Sequence, residues 1–351
     1  MGKIAMLKAQ KLFVSSCLTI AFLLTGTESM AKDKPAPFSR AASKARPYPE
    51  LKEGIERKSV TVWSDGTRMA ADIYKPTGLT SEDKLPAIII VNGTGGEKRK
   101  LPTRLAHYFV QKGYVFMAFD YRGWGESDSK LMMVEEMPEP DAEGMVTVKA
   151  RALRWTMDYA DQVLDVRNCI SFLQGEPNVD PDKIGLFGTS FGGGLSTYVA
   201  ATDYRVKALV IQVAGMGRMR SHGAAVNANK MATKQARGEI APVPYQVHKH
   251  GDKIKRYGQM NSNLPKWVGY NPLDHAHKIK APTLIVDAGA DELLNYKRNG
   301  KAVADILKKT DTPVKHYVIE EMKHYGVYRQ YLEQIIGEEV AWFDKHLKGK
   351  Q

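Results

Sequence analysis

The stretch Ile184-Gly-Leu-Phe-Gly-Thr-Ser-Phe-Gly-Gly-Gly-Leu-Ser-Thr-Tyr-Val-Ala-Ala201 limits what this chain can fold into more than any other. Residues 184–187 form a short apolar run that reads as a buried strand, and residues 195–201 read as the start of a helix packed back onto it. Between them, Gly188-Thr-Ser-Phe-Gly192 leaves room only for a sharp turn. A serine at the centre of such a turn holds a strained backbone geometry, and glycine on either side removes the Cβ clashes that would forbid it. The turn pushes the Ser190 hydroxyl out at a sheet edge beside the positive end of the next helix. There the Phe191 amide can face a developing oxyanion.

The same alternation recurs along the chain. Ala87-Ile-Ile-Ile-Val-Asn92 and Tyr114-Val-Phe-Met-Ala-Phe-Asp120 are continuous apolar runs, as strands covered on both faces require. A helix over about residues 103–112 separates them, and strands at 206–213, 282–287 and 313–319 alternate with helices at about 158–173, 296–308 and 328–347. Residues 57–64 and 69–74, joined through Ser64-Asp-Gly-Thr67, pair as a hairpin. Strand, helix, strand repetition predicts an α/β fold built on a mostly parallel sheet flanked by helices.

Two stretches break the pattern. Residues 129–155 carry Met132, Met133, Met137 and Met145 among acidic and proline positions and form an excursion at the carboxyl edge of the sheet. Residues 214–280 hold twelve Lys or Arg against Glu239, Asp252 and Asp274, which reads as a basic, helical cap inserted over the site. Together these two segments are expected to shape the pocket.

The first residues serve a different purpose. Lys3, Lys8 and Lys11 precede an apolar run at 12–24, and Ser29-Met-Ala31 offers small residues to a signal peptidase. Residues 1–31 therefore read as a secretory signal peptide cleaved after Ala31, placing the mature chain in the periplasm or the medium. The alternatives are an uncleaved anchor and a lipoprotein signal at Val14-Ser-Ser-Cys17, although the apolar core follows Cys17 instead of preceding it. Residues 32–56 form a basic, Pro/Ala-rich arm. Cleavage would remove one of the two cysteines and leave Cys169 alone in an amphipathic helix, so burial without disulfides must hold the fold. The formal charge of +12 suits an anionic surface or substrate, or general solubility, and no aromatic-interleaved basic motif points to nucleic acid.

A serine hydroxyl becomes a useful nucleophile only when a base takes its proton and a third group holds that base. His324, in Ile319-Glu-Glu-Met-Lys-His-Tyr-Gly326, follows the last strand on the edge that carries Ser190. His107, His316 and His346 fall inside helices or strands, whereas His222, His248, His250, His275 and His277 lie in the insertion. The pairs His248/His250 and His275/His277 lack matching Cys or carboxylate spacing, so neither a metal nor a cofactor is expected. Asp287, Asp291 and Glu292 are the candidate acids. Asp291 is favoured because Ala288-Gly-Ala290 lets it curl toward the neighbouring loop, while Asp287 closes its strand. The second oxyanion donor is expected from Asn92-Gly-Thr-Gly-Gly96, with the Thr94 amide first and Gly95 second.

The order Asn92-Gly-Thr, Asp120-Tyr-Arg-Gly-Trp-Gly-Glu-Ser, Gly188-Thr-Ser-Phe-Gly-Gly, Asp291 and His324 resembles the α/β-hydrolase superfamily over residues 57–347. Within it the chain is similar to dienelactone-hydrolase-like and Xaa-Pro dipeptidyl-peptidase-like esterases, with serine where dienelactone hydrolases proper carry cysteine. The resemblance implies an eight-stranded α/β-hydrolase sheet with Ser190 as nucleophile, His324 as base and Asp291 as orienting acid. The expected activity is that of an exported serine hydrolase acting on a small carboxylic ester, one whose anionic end the basic insertion would favour. A peptidase or amidase using the same three residues is the alternative. A non-catalytic binding protein on this scaffold is the reading from another class.

Overall fold

The apolar runs form strands whose order brings several carboxyl ends to one edge. A computed structural model describes residues 43–217, 222–242 and 260–349. Eight strands make the main sheet: β1 (Ile55–Ser64), β2 (Thr67–Pro76), β3 (Leu85–Val91), β4 (Val115–Phe119), β5 (Val179–Thr189), β6 (Val206–Gln212), β7 (Thr283–Ala288) and β8 (Val314–Ile319). Their spatial order is β1-β2-β4-β3-β5-β6-β7-β8. β2 runs antiparallel to both β1 and β4, and the remaining neighbours are parallel. The β1-β2 hairpin turns on Asp65 and Gly66, both left-handed at φ 48° and 71°, the combination that matches the twist of its strands.

Helices α1 (Leu101–Val110), α2 (Tyr159–Gln174), α3 (Phe191–Thr202), α4 (His222–Ala236), α5 (Gly300–Leu307) and α6 (Leu332–Lys348) accompany the sheet. Alternation along β3 assigns its two faces. Ala87, Ile89 and Val91 pack with Val166, Cys169 and Ile170 of α2, Leu195 and Val199 of α3, and Val303 and Leu307 of α5. Ile88 and Ile90 point the other way, toward Leu105 and Phe109 of α1 and Ile336, Phe343 and Leu347 of α6. Each fully buried aliphatic or aromatic side chain contributes roughly 1.5–3 kcal/mol. Two such layers supply the core, and the Cys169 thiol is free and buried.

Three segments differ from the sequence expectation. The helix expected over 296–308 is broken at Asn299 (φ −124°, ψ −100°) into a 3-10 turn, Tyr296–Arg298, and α5. The cause is a pair of side-chain bonds: Asn299 Oδ1 accepts the Met216 amide at 2.9 Å, and Nδ2 donates to the Asn295 carbonyl at 2.8 Å. The closing helix begins at Leu332 and is preceded by a 3-10 turn, His324–Tyr328. Residues 129–155 contain two short antiparallel strands, Leu131–Met133 and Ala150–Ala152, with Met133, Met137 and Met145 exposed.

The described part of the basic insertion consists of α4 and a chain of short pieces. Asn261–Ser262 pairs in parallel with Thr156–Met157, a 3-10 turn spans Leu264–Trp267, and a single helical turn, Pro272–His275, rests against α3. The leader, residues 32–42 of the arm, His248 and His250 lie outside the described residues. Among the described residues no helix is long and apolar enough to cross a membrane.

Candidate active site

Ser190 follows β5 directly and caps α3 with φ 52° and ψ −119°, a conformation that L residues rarely hold. Close packing fixes it there. A Cβ at Gly192 would lie 1.9 Å from the Val91 carbonyl oxygen, and one at Gly188 would lie 2.4 Å from Ser196 Oγ. Glycine therefore lets the first turn of α3 press against the end of β3. Hydrogen bonds hold the residue from both sides: the Ser190 amide donates to Gln212 O at 3.0 Å, and its carbonyl accepts from Gly193 and Gly215, each at 2.9 Å.

The same packing brings the β3 loop to the serine. A Cβ built on Gly93 would approach Ser190 Cβ to 3.1 Å. The loop closes as a turn in which Gly96 N–H donates to Gly93 O at 2.9 Å, leaving the central Thr94 and Gly95 amides outside that bond. Phe191 supplies the first amide of α3, which has no acceptor within its own helix. Thr94, Ser190 and Phe191 line one cavity. The sequence-predicted donors and the serine are thus neighbours.

The acid and the imidazole arrive from the next two loops. Gly289 N–H donates to Ile319 O at 2.9 Å and Ala290 N–H to Met322 O at 3.0 Å, stitching the end of β7 to the end of β8. His324 Nδ1 then lies 2.8 Å from Asp291 Oδ2, and His324 Nε2 lies 3.1 Å from Ser190 Oγ. An ionised carboxylate only accepts, so Nδ1 carries the proton and Nε2 keeps its lone pair for the hydroxyl. The His324 and Asp291 side chains are only 3% and 2% exposed, which shields both bonds from competing water. Asp291 Oδ1 also accepts the Leu293 and Leu294 amides at 2.8 and 2.7 Å, fixing the carboxylate plane.

The other two candidate acids have different partners. Glu292 Oε2 accepts the backbone N–H of His324 at 3.0 Å, and backbone donors hold its carboxyl below the usual range. Asp287 Oδ2 lies 2.8 Å from His316 Nε2, its carboxylate packs on Gly300 at the start of α5, and burial pushes its pKa up. The remaining described histidines are distributed among α1, α4, α6 and the short turns of the insertion. No group of three or more His, Cys, Asp or Glu among the described residues could hold a metal ion.

The cavity measures about 430 Å³. Its wall mixes apolar side chains, among them Met157, Tyr159, Trp267 and Leu294, with the polar Asn295 and Arg298. Tyr159 organises the aromatic part, edge-to-face with Trp267 at 4.2 Å and tilted against Phe191 at 5.0 Å. Trp267 Nε1 donates to Met157 O at 3.1 Å, tying the insertion to the segment ahead of α2.

One expectation about the pocket is corrected here. The methionine-rich excursion does not line it: Met132, Met133, Met137 and Met145 are absent from its wall, because their loop pairs with itself at the surface. The insertion contributes Met216, Gly217 and Trp267 to the wall, and six of its twelve Lys and Arg lie outside the described residues; Arg298, from the segment before α5, is a cation among the described lining residues. Arg298, Tyr159 and Trp267 went unrecognised in the sequence. The only local signal was the closeness of Arg298 to Asp291 along the chain.

The protein-family model for X-Pro dipeptidyl-peptidase (S15 family) matches residues 65–326. An Escherichia coli protein described as an uncharacterized 31.7 kDa protein in the traX-finO intergenic region is 28% identical over 289 residues, covering 75% of this chain and 92% of that one. The quorum-quenching protein AidA of Acinetobacter baumannii is 30% identical over 149 residues, 42% of this chain and 41% of its own. Among solved structures, the alpha/beta hydrolase GrgF from Penicillium sp. sh18 superposes with a TM-score of 0.63 at 16% identity, covering 84% of this chain and 99% of that one.

Proposed function

The chain belongs to the X-Pro dipeptidyl-peptidase (S15) family and has the α/β-hydrolase fold, and from that premise we propose that it is a serine hydrolase cleaving carboxylic esters through an acyl-enzyme. Ser190 is the nucleophile, His324 the general base and Asp291 the group that orients the imidazole. As Ser190 Oγ adds to the carbonyl carbon, its proton passes to His324 Nε2 and the carbonyl π pair moves onto oxygen. The Phe191 and Thr94 amides donate to that oxyanion, each worth about 3 kcal/mol. Collapse expels the alcohol, which leaves with the proton from Nε2. Water, deprotonated by the same nitrogen, then releases the acid and restores the serine.

One observation carries this reading: the continuous relay from Ser190 Oγ through His324, at 3.1 and 2.8 Å, to Asp291. Ester cleavage is favoured over dipeptide release by the charge of the cavity. An enzyme that removes dipeptides must hold a free ammonium near the bond it cuts, which requires a carboxylate. The described lining residues include none. The apolar lining residues Met157, Tyr159 and Trp267 suit an acyl chain.

Paired assays test the reading, using p-nitrophenyl esters of graded acyl length and an Xaa-Pro p-nitroanilide. Ester turnover is expected, reduced by about 10⁴-fold or more in Ser190→Ala. Preferential anilide cleavage would instead assign an aminopeptidase. Loss of both activities in the wild type would leave a binding protein on this scaffold.

A further inference from the structure

The motif Asp120-Tyr-Arg-Gly-Trp-Gly-Glu-Ser127 follows β4 and contributes no side chain to the relay of Ser190, His324 and Asp291. Its first residues instead hold the turn that carries Thr94. β3 and β4 are parallel neighbours, so the loops that follow them leave the same edge of the sheet. The Tyr121 hydroxyl donates to Asn92 O at 2.9 Å, and Asn92 Nδ2 donates to Phe119 O at 3.3 Å. Past the turn, Asp120 Oδ1 accepts the Lys98 amide at 2.7 Å. Residues 119–121 thus grip the chain both before and after Gly93-Thr-Gly-Gly96.

Within that grip, Tyr121 reaches toward both oxyanion donors. Asn92, whose carbonyl it holds, lies two residues before Thr94. The same carbonyl abuts the first turn of α3, since a Cβ built on Gly192 would lie 2.6 Å from Asn92 O. The Tyr121 ring stands edge-to-face with Phe119 at 4.9 Å, Trp124 at 5.0 Å and Phe191 at 6.3 Å, and it is fully buried, so packing decides where its hydroxyl lies. Burial also pushes its pKa well above the ordinary phenol value, which keeps the donated proton on the oxygen. Oxyanion donors work by being held in place before charge develops, so a small displacement weakens the transition state more than the bound substrate.

We propose that Tyr121 is a positioning residue for the oxyanion hole: through Asn92 O it fixes the turn bearing the Thr94 amide against the turn bearing the Phe191 amide. This inference rests on the ester-hydrolase reading above.

Tyr121→Phe deletes only the hydroxyl and tests the proposal. Hydrolysis of p-nitrophenyl butyrate and inhibition by an alkyl trifluoromethyl ketone, whose adduct on Ser190 carries an oxyanion, are both referred to active sites titrated with a fluorophosphonate, so an unfolded fraction does not count. A fall of about tenfold in kcat is expected, with KM within about twofold and Ki for the ketone raised by the same factor as kcat is lowered. Tyr114→Phe is the comparison, because it removes another phenol bond, to Asp344 Oδ1 at 2.9 Å on α6, and should leave kcat and Ki at wild-type values. Unchanged kcat and Ki in Tyr121→Phe, or losses no greater than in Tyr114→Phe, would overturn the proposal while leaving the ester-hydrolase reading intact. If Tyr121→Phe yields too little folded protein to titrate, Asn92→Ala, which breaks the bond to Phe119 O, must show the same split, and wild-type kcat and Ki in it would overturn the proposal. A wild type that hydrolyses no p-nitrophenyl ester would overturn the underlying reading as well.

Discussion

Asp287 and Asp291 both follow from the β7 segment, yet their surroundings give them different roles. Asp291 bonds His324 and two amides of its own turn, whereas Asp287 bonds His316 and packs at the start of α5. Asp291→Asn removes the acceptor that fixes the imidazole tautomer, so kcat for ester hydrolysis should fall by about 10³–10⁴-fold with little change in folding. Asp287→Asn should retain turnover within a few-fold while lowering unfolding free energy by about 1–3 kcal/mol, because it weakens a buried bond. Steady-state kinetics and urea unfolding on the two variants separate the roles. Equal catalytic losses would mean that the assignment of the acid is wrong.

At the scale of elements, the contact between α3 and β3 governs the site. Gly192→Ala would drive a Cβ to 1.9 Å from the Val91 carbonyl, so the first turn of α3 must shift and carry the Phe191 amide away from Ser190. A loss of about 1–3 kcal/mol in stability is expected, with a larger proportional loss in kcat than in KM. A different effect belongs to α6, where Glu339 is buried with Oε1 unpartnered and burial raises its pKa well above the ordinary value. A carboxyl whose folded pKa is raised holds its proton more tightly in the native state, so its contribution to stability is lost as pH rises above the unfolded value. Glu339→Gln should therefore unfold at a higher urea midpoint than wild type at pH 9 and at nearly the same midpoint near pH 4. Parallel pH profiles would contradict this.

The same elements explain what the sequence could and could not reveal. Strands such as Ala87-Ile-Ile-Ile-Val91 were legible because a strand buried on both faces must be apolar throughout. Ser190 and His324 were legible because their turn and loop have local signatures. The break at Asn299 was not, since its cause is a bond to Met216, distant in sequence. Nor was the cavity wall, where Tyr159, Trp267 and Arg298 meet only after three separate segments fold together.

On the scale of the whole molecule, the S15-family hydrolase fold occupies most of the chain, and the amino-terminal residues remain a proposal of their own. Residues 1–31 lie outside the described structure and are proposed to direct export, with cleavage after Ala31. Intact mass measurement of protein recovered from the periplasm or medium should give a chain beginning at Lys32, and a mass that retains the leader would contradict the cleavage.

Three loops bring Ser190, His324 and Asp291 together at the carboxyl edge of the sheet, and reaction with a fluorophosphonate reads out whether they act as one unit. Intact mass followed by peptide mapping should find one adduct, on Ser190. That adduct should be absent in Ser190→Ala and form at least about 100-fold more slowly in His324→Ala, where no base remains to take the proton. An adduct on another residue, or one that persists in Ser190→Ala, would contradict the account.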